Sequence, residues 1–230
     1  MLLRQLFDRE SSTYTYLLAG DAGEALLIDP VQAQLDSYLQ LLRELKLSLV
    51  LALDTHTHAD HVTAMGDLRS ATGCVTMMGR QSQAECVSAR FDDEQVVGCN
   101  GVELRALYTP GHTDESYSFF TRSGGVPMVF TGDALLIRGT GRTDFQNGDA
   151  RAAYRSLFNR LLTLPDETLV YPGHDYKGWS VSTIGEERLH NPRLQVKSAD
   201  EYAALMASLK LPSPALMDVA LPANLRCGRR

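Results

Sequence analysis

The chain has 230 residues, 44% of them hydrophobic, and a formal net charge of −6, enough for a real core and too acidic, with no Lys/Arg-rich run, for nucleic acid to be the main partner. The length favours one compact domain over 1–230, with a short C-terminal helical extension from about 185, over two full domains. No stretch approaches the ~18 consecutive apolar residues of a membrane span, and MLLRQLFDRE at the start reads as neither signal nor transit peptide, which makes the cytoplasm the default compartment.

In chain order, TYTYLL (Thr13 to Leu18) and EALLIDP (Glu24 to Pro30) flank the turn AGDAG and predict a β-hairpin that Asp29-Pro30 ends. Leu35, Leu39, Leu42 and Leu45 recur at spacings of three and four, which predicts a helix from about Gln32 to Lys46. The apolar run Leu49 to Leu53 reads as a buried strand, followed by a helix from about His61 to Ala71 that Gly73 closes. Further strands are predicted at Val75–Met78, Val102–Tyr108, Ser116–Thr121, Met128–Phe130 and Leu169–Tyr171, and helices at Ala150 to Leu162 and Ala199 to Leu209. Strands in both halves with helices between them imply two packed sheets covered by outer helices. The four cysteines, Cys74, Cys86, Cys99 and Cys227, lack C-x-x-C spacing and read as buried apolar residues, not as disulfides or a zinc module.

Five of the six histidines fall at breaks after predicted strands. THTHADH (Thr55 to His61) holds His56, His58, Asp60 and His61; TPGHT holds His112, FTGD holds Asp133, and YPGHD holds His174. Only His190 stands apart, and it reads as a surface residue. The grammar repeats: apolar strand, tight turn, metal-ligand residue. Glycine and proline let such turns aim a side chain from a rigid strand end. Imidazole and carboxylate suit first-row metals, so both a hydrolytic zinc site and a non-heme iron site are compatible with this set.

The order THTHADH, PGHT, TGD, PGHD resembles the signature of the metallo-β-lactamase superfamily. That resemblance implies an α/β (α+β) fold, a four-layer αββα sandwich with the metal at one edge. TGDALLIRGTGRTDFQ (Thr131 to Gln146), YPGHDYKG, STIGEER, NPRL and the tail LPANLRCG are similar to the persulfide dioxygenases, the ethylmalonic encephalopathy protein family. Thr57 and Thr140 stand where many members carry Cys, and neither position is expected to bind metal.

The resemblance implies one iron(II) per chain held by His56, His112 and Asp133, with positions left open for the terminal sulfur of glutathione persulfide and for O2, and glutathione and sulfite as products. His58, Asp60, His61 and His174 would then orient these ligands and bound waters by hydrogen bonds. Arg142, Tyr176 and Arg193 are assigned to the pocket for glutathione, whose carboxylates suit planar guanidinium partners. The family also implies a homodimer and a functional link to a sulfurtransferase. The main alternative is a hydroxyacylglutathione hydrolase of glyoxalase II type, with two metals and a bridging hydroxide. A non-catalytic metal-binding protein would show a degenerate ligand set, and every ligand position here is filled.

Overall fold

The computed structural model describes residues 1–211 and 216–228. One six-stranded sheet runs in sequence order through β1 (Leu2–Asp8), β2 (Thr13–Ala19), β3 (Glu24–Ile28), β4 (Ser48–Leu53), β5 (Val75–Gly79) and β6 (Ala89–Phe91). The first three strands pair antiparallel and β3 to β6 pair parallel. The parallel steps need crossovers: α1 (Leu35–Glu44) and α2 (Met65–Thr72) supply the first two, and the loop over 80–88 supplies the third. The second sheet contains β7 (Val96–Cys99), β8 (Val102–Tyr108), β9 (Tyr117–Thr121) and β10 (Met128–Gly132). A small hairpin, β11 (Leu135–Leu136) with β12 (Gly139–Thr140), leaves that sheet, which continues through β13 (Leu169–Pro172) and β14 (Ser182–Thr183) in the order β14-β13-β10-β9-β8-β7. Helices α3 (Ala150–Asn159), α4 (Ile184–His190), α5 (Ala199–Ser208) and α6 (Met217–Asn224) complete the described chain.

Three apolar clusters define the four layers. Tyr16, Leu18, Leu26, Ile28 and Leu53 face Val102, Leu104, Phe119 and Phe130 between the sheets. Their strand neighbours Leu17, Ala19, Ala25 and Leu27 point outward onto Tyr38 and Leu42 of α1 and Met65 and Leu68 of α2. On the far side, Phe120, Val129 and Val170 pack against Leu157 of α3, Ile184 of α4 and Tyr202 and Met206 of α5. The period-two switch along β2 and β3 is why both faces of the strand are apolar. The αββα expectation therefore holds, and α5 turns its Tyr202 and Met206 face to the core.

Several expectations need correction. The helix expected from His61 starts at Met65. The backbone just before it is committed elsewhere: Thr63 N–H and the carbonyls of His58 and His61 bond the Asn224 amide, and Ala64 N–H donates to Pro30. Its predicted stop is correct, with Gly73 left-handed at φ 75. The helix expected to reach Leu162 ends at Asn159 and continues as a 3-10 turn over Leu161–Thr163. The sequence reading places no strand at β1, β6, β7, β11, β12 or β14, and within the helical extension expected from about 185 it places α5 but neither α4 nor α6 individually.

The cysteine reading is also overturned, since Cys86 and Cys227 form a disulfide across 141 residues of sequence. No local spacing could announce it. The C-terminal segment lies against α2 and the loop after β5, with Gly66 N–H bonded to Cys227 O and Glu85 N–H to Leu225 O, and this docking brings the two sulfurs together. Cys74 is buried as expected, and Cys99 is half-buried.

Tyr16 ties the sheets together. Its ring is fully buried between them, and its hydroxyl donates to Pro172 O at the end of β13 at 2.6 Å while accepting from Gln5. Tyr16→Phe keeps the ring but strands a buried carbonyl, which costs roughly 1–3 kcal/mol. At about 2–4 °C per kcal/mol for a chain of this size, a thermal melt should show Tm lowered by several degrees.

Candidate metal centre

Strand direction places the site. Strands β10 and β13 are parallel, and β8 and β10 each pair antiparallel with β9, so β8, β10 and β13 end on the same edge. Strand β4 of the facing sheet delivers its own loop there, and Tyr117 N–H donates to Thr55 O across the gap. The three turns of the second sheet need their glycines. Gly132, at φ 48, would put a Cβ 2.6 Å from Thr55 Oγ1, and a Cβ on Gly111 would lie 2.3 Å from Ala153 Cα. Gly173 packs on the metal side itself, where a Cβ would meet Asp133 Oδ1 at 2.8 Å.

His56, His112 and Asp133 offer one ligand atom each, all within 4.8 Å of one another, and so do His58, Asp60 and His61. The hydrogen bonds fix which nitrogen of each ring is bare. Thr55 Oγ1 donates to Asp29 Oδ2, so its oxygen accepts from His56 Nδ1–H at 3.0 Å and leaves Nε2 as the lone-pair nitrogen. His112 Nδ1–H donates to Arg142 O at 2.8 Å, which leaves its Nε2 beside Asp133 at 3.5 Å. His58 Nε2–H points at Asp29 Oδ1, 3.2 Å away, and His61 Nδ1–H at Asp60 Oδ2, 2.8 Å away. One nitrogen anchored as a donor with the other bare is how proteins prepare histidine for a metal.

The unpartnered atoms support the same conclusion. Among the described residues, Asp133 Oδ1, His58 Nδ1 and His61 Nε2 are buried with no hydrogen-bond partner. Such orphans are rare and costly without a ligand. Burial, with the neighbouring imidazoles, holds His56 and His58 well below the ordinary histidine pKa, in the neutral form a metal requires. Burial works against the Asp133 carboxylate, but His174, His112 and His56 outweigh it and keep its pKa below the usual value. His174 bridges Asp133 at 3.5 Å and Asp60 at 3.6 Å. Burial opposes its charge, yet those two carboxylates hold its pKa up at about 9. The chemistry of this donor set fits a bound divalent metal.

The centre opens into a cleft of about 570 Å³ whose wall includes Arg142, Tyr176 and Arg193. Arg142 pairs with Asp144 and stacks over Phe145 at 4.3 Å. Arg193 donates to Thr140 O, and burial lowers its pKa. Tyr176 is 71% exposed at the rim, its ring stacked 6.0 Å from His174, so it is not a core ring. His190 is exposed and apart. Thr140 lines the cleft with its hydroxyl bonded to Tyr202, whereas the Thr57 hydroxyl is buried without a partner.

Several supporting residues escaped sequence reasoning. Asp29 was read only as a strand end, yet it holds both Thr55 and His58 from a left-handed backbone at φ 52. Glu115 accepts from Thr57 N–H, and Asp54 lies buried behind the loop, its carboxyl pushed well up by burial, Asp29 and Glu115. Glu187, fully buried, ties Arg138, Ser182 and Asn191 together behind the cleft wall. A buried acid after an apolar run, as at Asp29 and Asp54, is the only sequence signal any of them gave.

Two packed sheets with outer helices and a His/Asp centre at the strand ends agree with what comparison finds: residues 8–174 match the Metallo-beta-lactamase superfamily, and the chain belongs to it. It is 45% identical to "Persulfide dioxygenase ETHE1, mitochondrial" of Homo sapiens and 47% identical to the Bos taurus protein of that name, over 99% of this chain and 89% of each of theirs. The crystal structure of ETHE1 from Myxococcus xanthus superposes with a TM-score of 0.94 at 50% identity, covering 100% of both chains. Within the superfamily the chain is therefore a member of the persulfide dioxygenase family, an enzyme of the oxidoreductase class. The mammalian relatives are named as mitochondrial, a compartment the sequence reading did not assign. No helix among the described residues is long and apolar enough to cross a membrane.

Gly141 tests the geometry. Its N–H donates to Asp133 O at 2.7 Å, and a Cβ there would sit 2.1 Å from that oxygen and 3.0 Å from the His112 ring. Gly141→Ala should therefore displace two candidate ligands at once. Metal analysis should find a large loss of bound metal in a protein whose far-UV circular dichroism stays native.

Proposed function

We propose that the chain is a glutathione-dependent persulfide dioxygenase that carries one iron(II) on His56, His112 and Asp133. Glutathione persulfide, O2 and one water become glutathione and sulfite, with two oxygens of sulfite from O2 and the third from water. The observation that carries this reading is a two-histidine, one-carboxylate set opening directly onto a cleft whose wall includes Arg142 and Arg193, in a chain whose near-full-length relatives are named persulfide dioxygenases. Two histidines and one carboxylate with open positions are the donor set of non-heme iron oxygenases. Iron(II), when bound, supplies the redox chemistry between a sulfur donor and O2 that zinc lacks.

The protein's part is to aim and to bind. Asp29 acts through Thr55 to fix the His56 tautomer, and the Arg142 carbonyl fixes that of His112. His174, held near Asp60 and Asp133, offsets the negative charge of the two carboxylates. Asp60 is already engaged by His61 and Thr13, which supports its assignment as an orienting partner and not a ligand. Arg142, Arg193 and Tyr176 line the cleft where glutathione's carboxylates and amides would lie, and a guanidinium is the natural partner for a carboxylate there. The same reading includes a homodimer and a sulfurtransferase that supplies the persulfide.

The deciding experiment is anaerobic purification, metal counting and an oxygen-electrode assay with glutathione persulfide. One metal per chain and O2 uptake support the proposal. One observation favours the two-metal hydrolase instead: the bare nitrogens His58 Nδ1 and His61 Nε2. Two metals per chain with cleavage of S-lactoylglutathione would decide for it. Arg193→Ala should raise KM for glutathione persulfide strongly and leave iron content unchanged; an unchanged KM removes Arg193 from the pocket.

A further inference from the structure

The loop that carries His56, His58, Asp60 and His61 is held from behind by a residue 161 to 166 positions beyond the groups it bonds. The Asn224 side chain, 3% exposed at the end of α6, gives its two N–H groups to His58 O and His61 O at 2.8 Å each. Its carbonyl oxygen accepts from Thr63 N–H, also at 2.8 Å. One amide thus satisfies three backbone groups over residues 58–63, and with Ala64 N–H bonded to Pro30 O it keeps them out of the helix that starts at Met65. The segment bearing Asn224 is itself fastened. Cys227 is disulfide-bonded to Cys86, Cys227 O accepts from Gly66 N–H, and Gln32 Nε2 donates to Gly228 O. Gly66 has to be glycine for this, because a Cβ would lie 2.4 Å from Cys227 O.

We infer that Asn224 is a positioning residue for the metal centre: it fixes the histidine loop from the C-terminal side, and the Cys86–Cys227 disulfide pins the segment that carries it. The inference rests on the reading that this loop serves the metal. Asn224 touches no candidate ligand atom, and its effect passes through the backbone of His58 and His61 to the neighbouring imidazoles. The amide suits the task because only Asn or Gln presents two donors and an acceptor on one planar group, and a binding constellation is only as well aimed as the shell that holds its residues in place.

The test uses the full chain loaded anaerobically with iron(II), and in parallel with cobalt(II), whose visible absorption reports ligand geometry. Asn224→Ala should release iron to a chelator about 10–100-fold faster than wild type, the range for lost partners of metal ligands, and should shift the cobalt bands. Leu104→Ala, a buried cavity between the sheets toward the far end of β8, is the control for general loss of stability. Wild-type iron release and cobalt bands in Asn224→Ala, or equal acceleration in Leu104→Ala, overturns the inference. Cys86→Ser leaves Asn224 in place and should give a smaller acceleration, so it carries the test if Asn224→Ala does not fold. A Cys86→Ser protein identical to wild type in both readouts overturns the pinning role. His56→Ala separates the two readings. Cobalt bands that survive it mean the metal assignment has failed, whereas bands lost with His56→Ala but intact in Asn224→Ala mean that the positioning role alone has failed.

Discussion

A lone-pair nitrogen must stay bare inside a protein for a metal to find it, and most of this structure's polar arrangement serves that constraint. Imidazole has two nitrogens, and a buried ring left to itself would pair both with whatever lies near. Here one nitrogen of each ring in the cluster is already committed: His56 to Thr55, His58 to Asp29, His61 to Asp60 and His112 to the Arg142 carbonyl. The opposite nitrogen is thereby turned to the centre. Asp29 matters most, since one carboxylate sets His58 directly and His56 through a hydroxyl.

The sandwich delivers these groups through strand direction. Three strands of one sheet end on a single edge because an antiparallel partner separates β8 from β10, and β4 of the other sheet arrives opposite them. The ligand-bearing turns lie beyond the last ladder hydrogen bonds, so they can vary without disturbing the layers. Tyr16 holds the two sheets in register near this edge, its hydroxyl reaching the strand end that precedes His174. The position of the site is a consequence of topology, and its chemistry a consequence of the turns.

Much of this was legible in the sequence. The hairpin of β2 and β3, the apolar run of β4 and the leucine spacing of α1 carry their periodicity openly, because each buries a continuous face. The candidate ligands were legible for another reason: each follows an apolar strand, and glycine marks the turns that carry His112, Asp133 and His174. What stayed hidden depends on partners far away in sequence. β6 and β7 are too short to show a period, and β14 has two residues. The start of α2 was misplaced because the Asn224 amide, absent from any local window, claims the backbone before it. The disulfide was missed for the same reason, since its cysteines become neighbours only once the segment carrying Cys227 has docked on α2 and the loop after β5.

That long-range dependence sets an order of events during synthesis. Residues 55–64 leave the ribosome well before the amide that quiets their carbonyls, which lies more than 160 positions later. Until residue 224 has been made and docked, water must stand in for its amide, and the loop is free to sample the helical backbone its own sequence favours. The nascent polypeptide therefore carries a half-finished cradle until the segment around Asn224 settles against it.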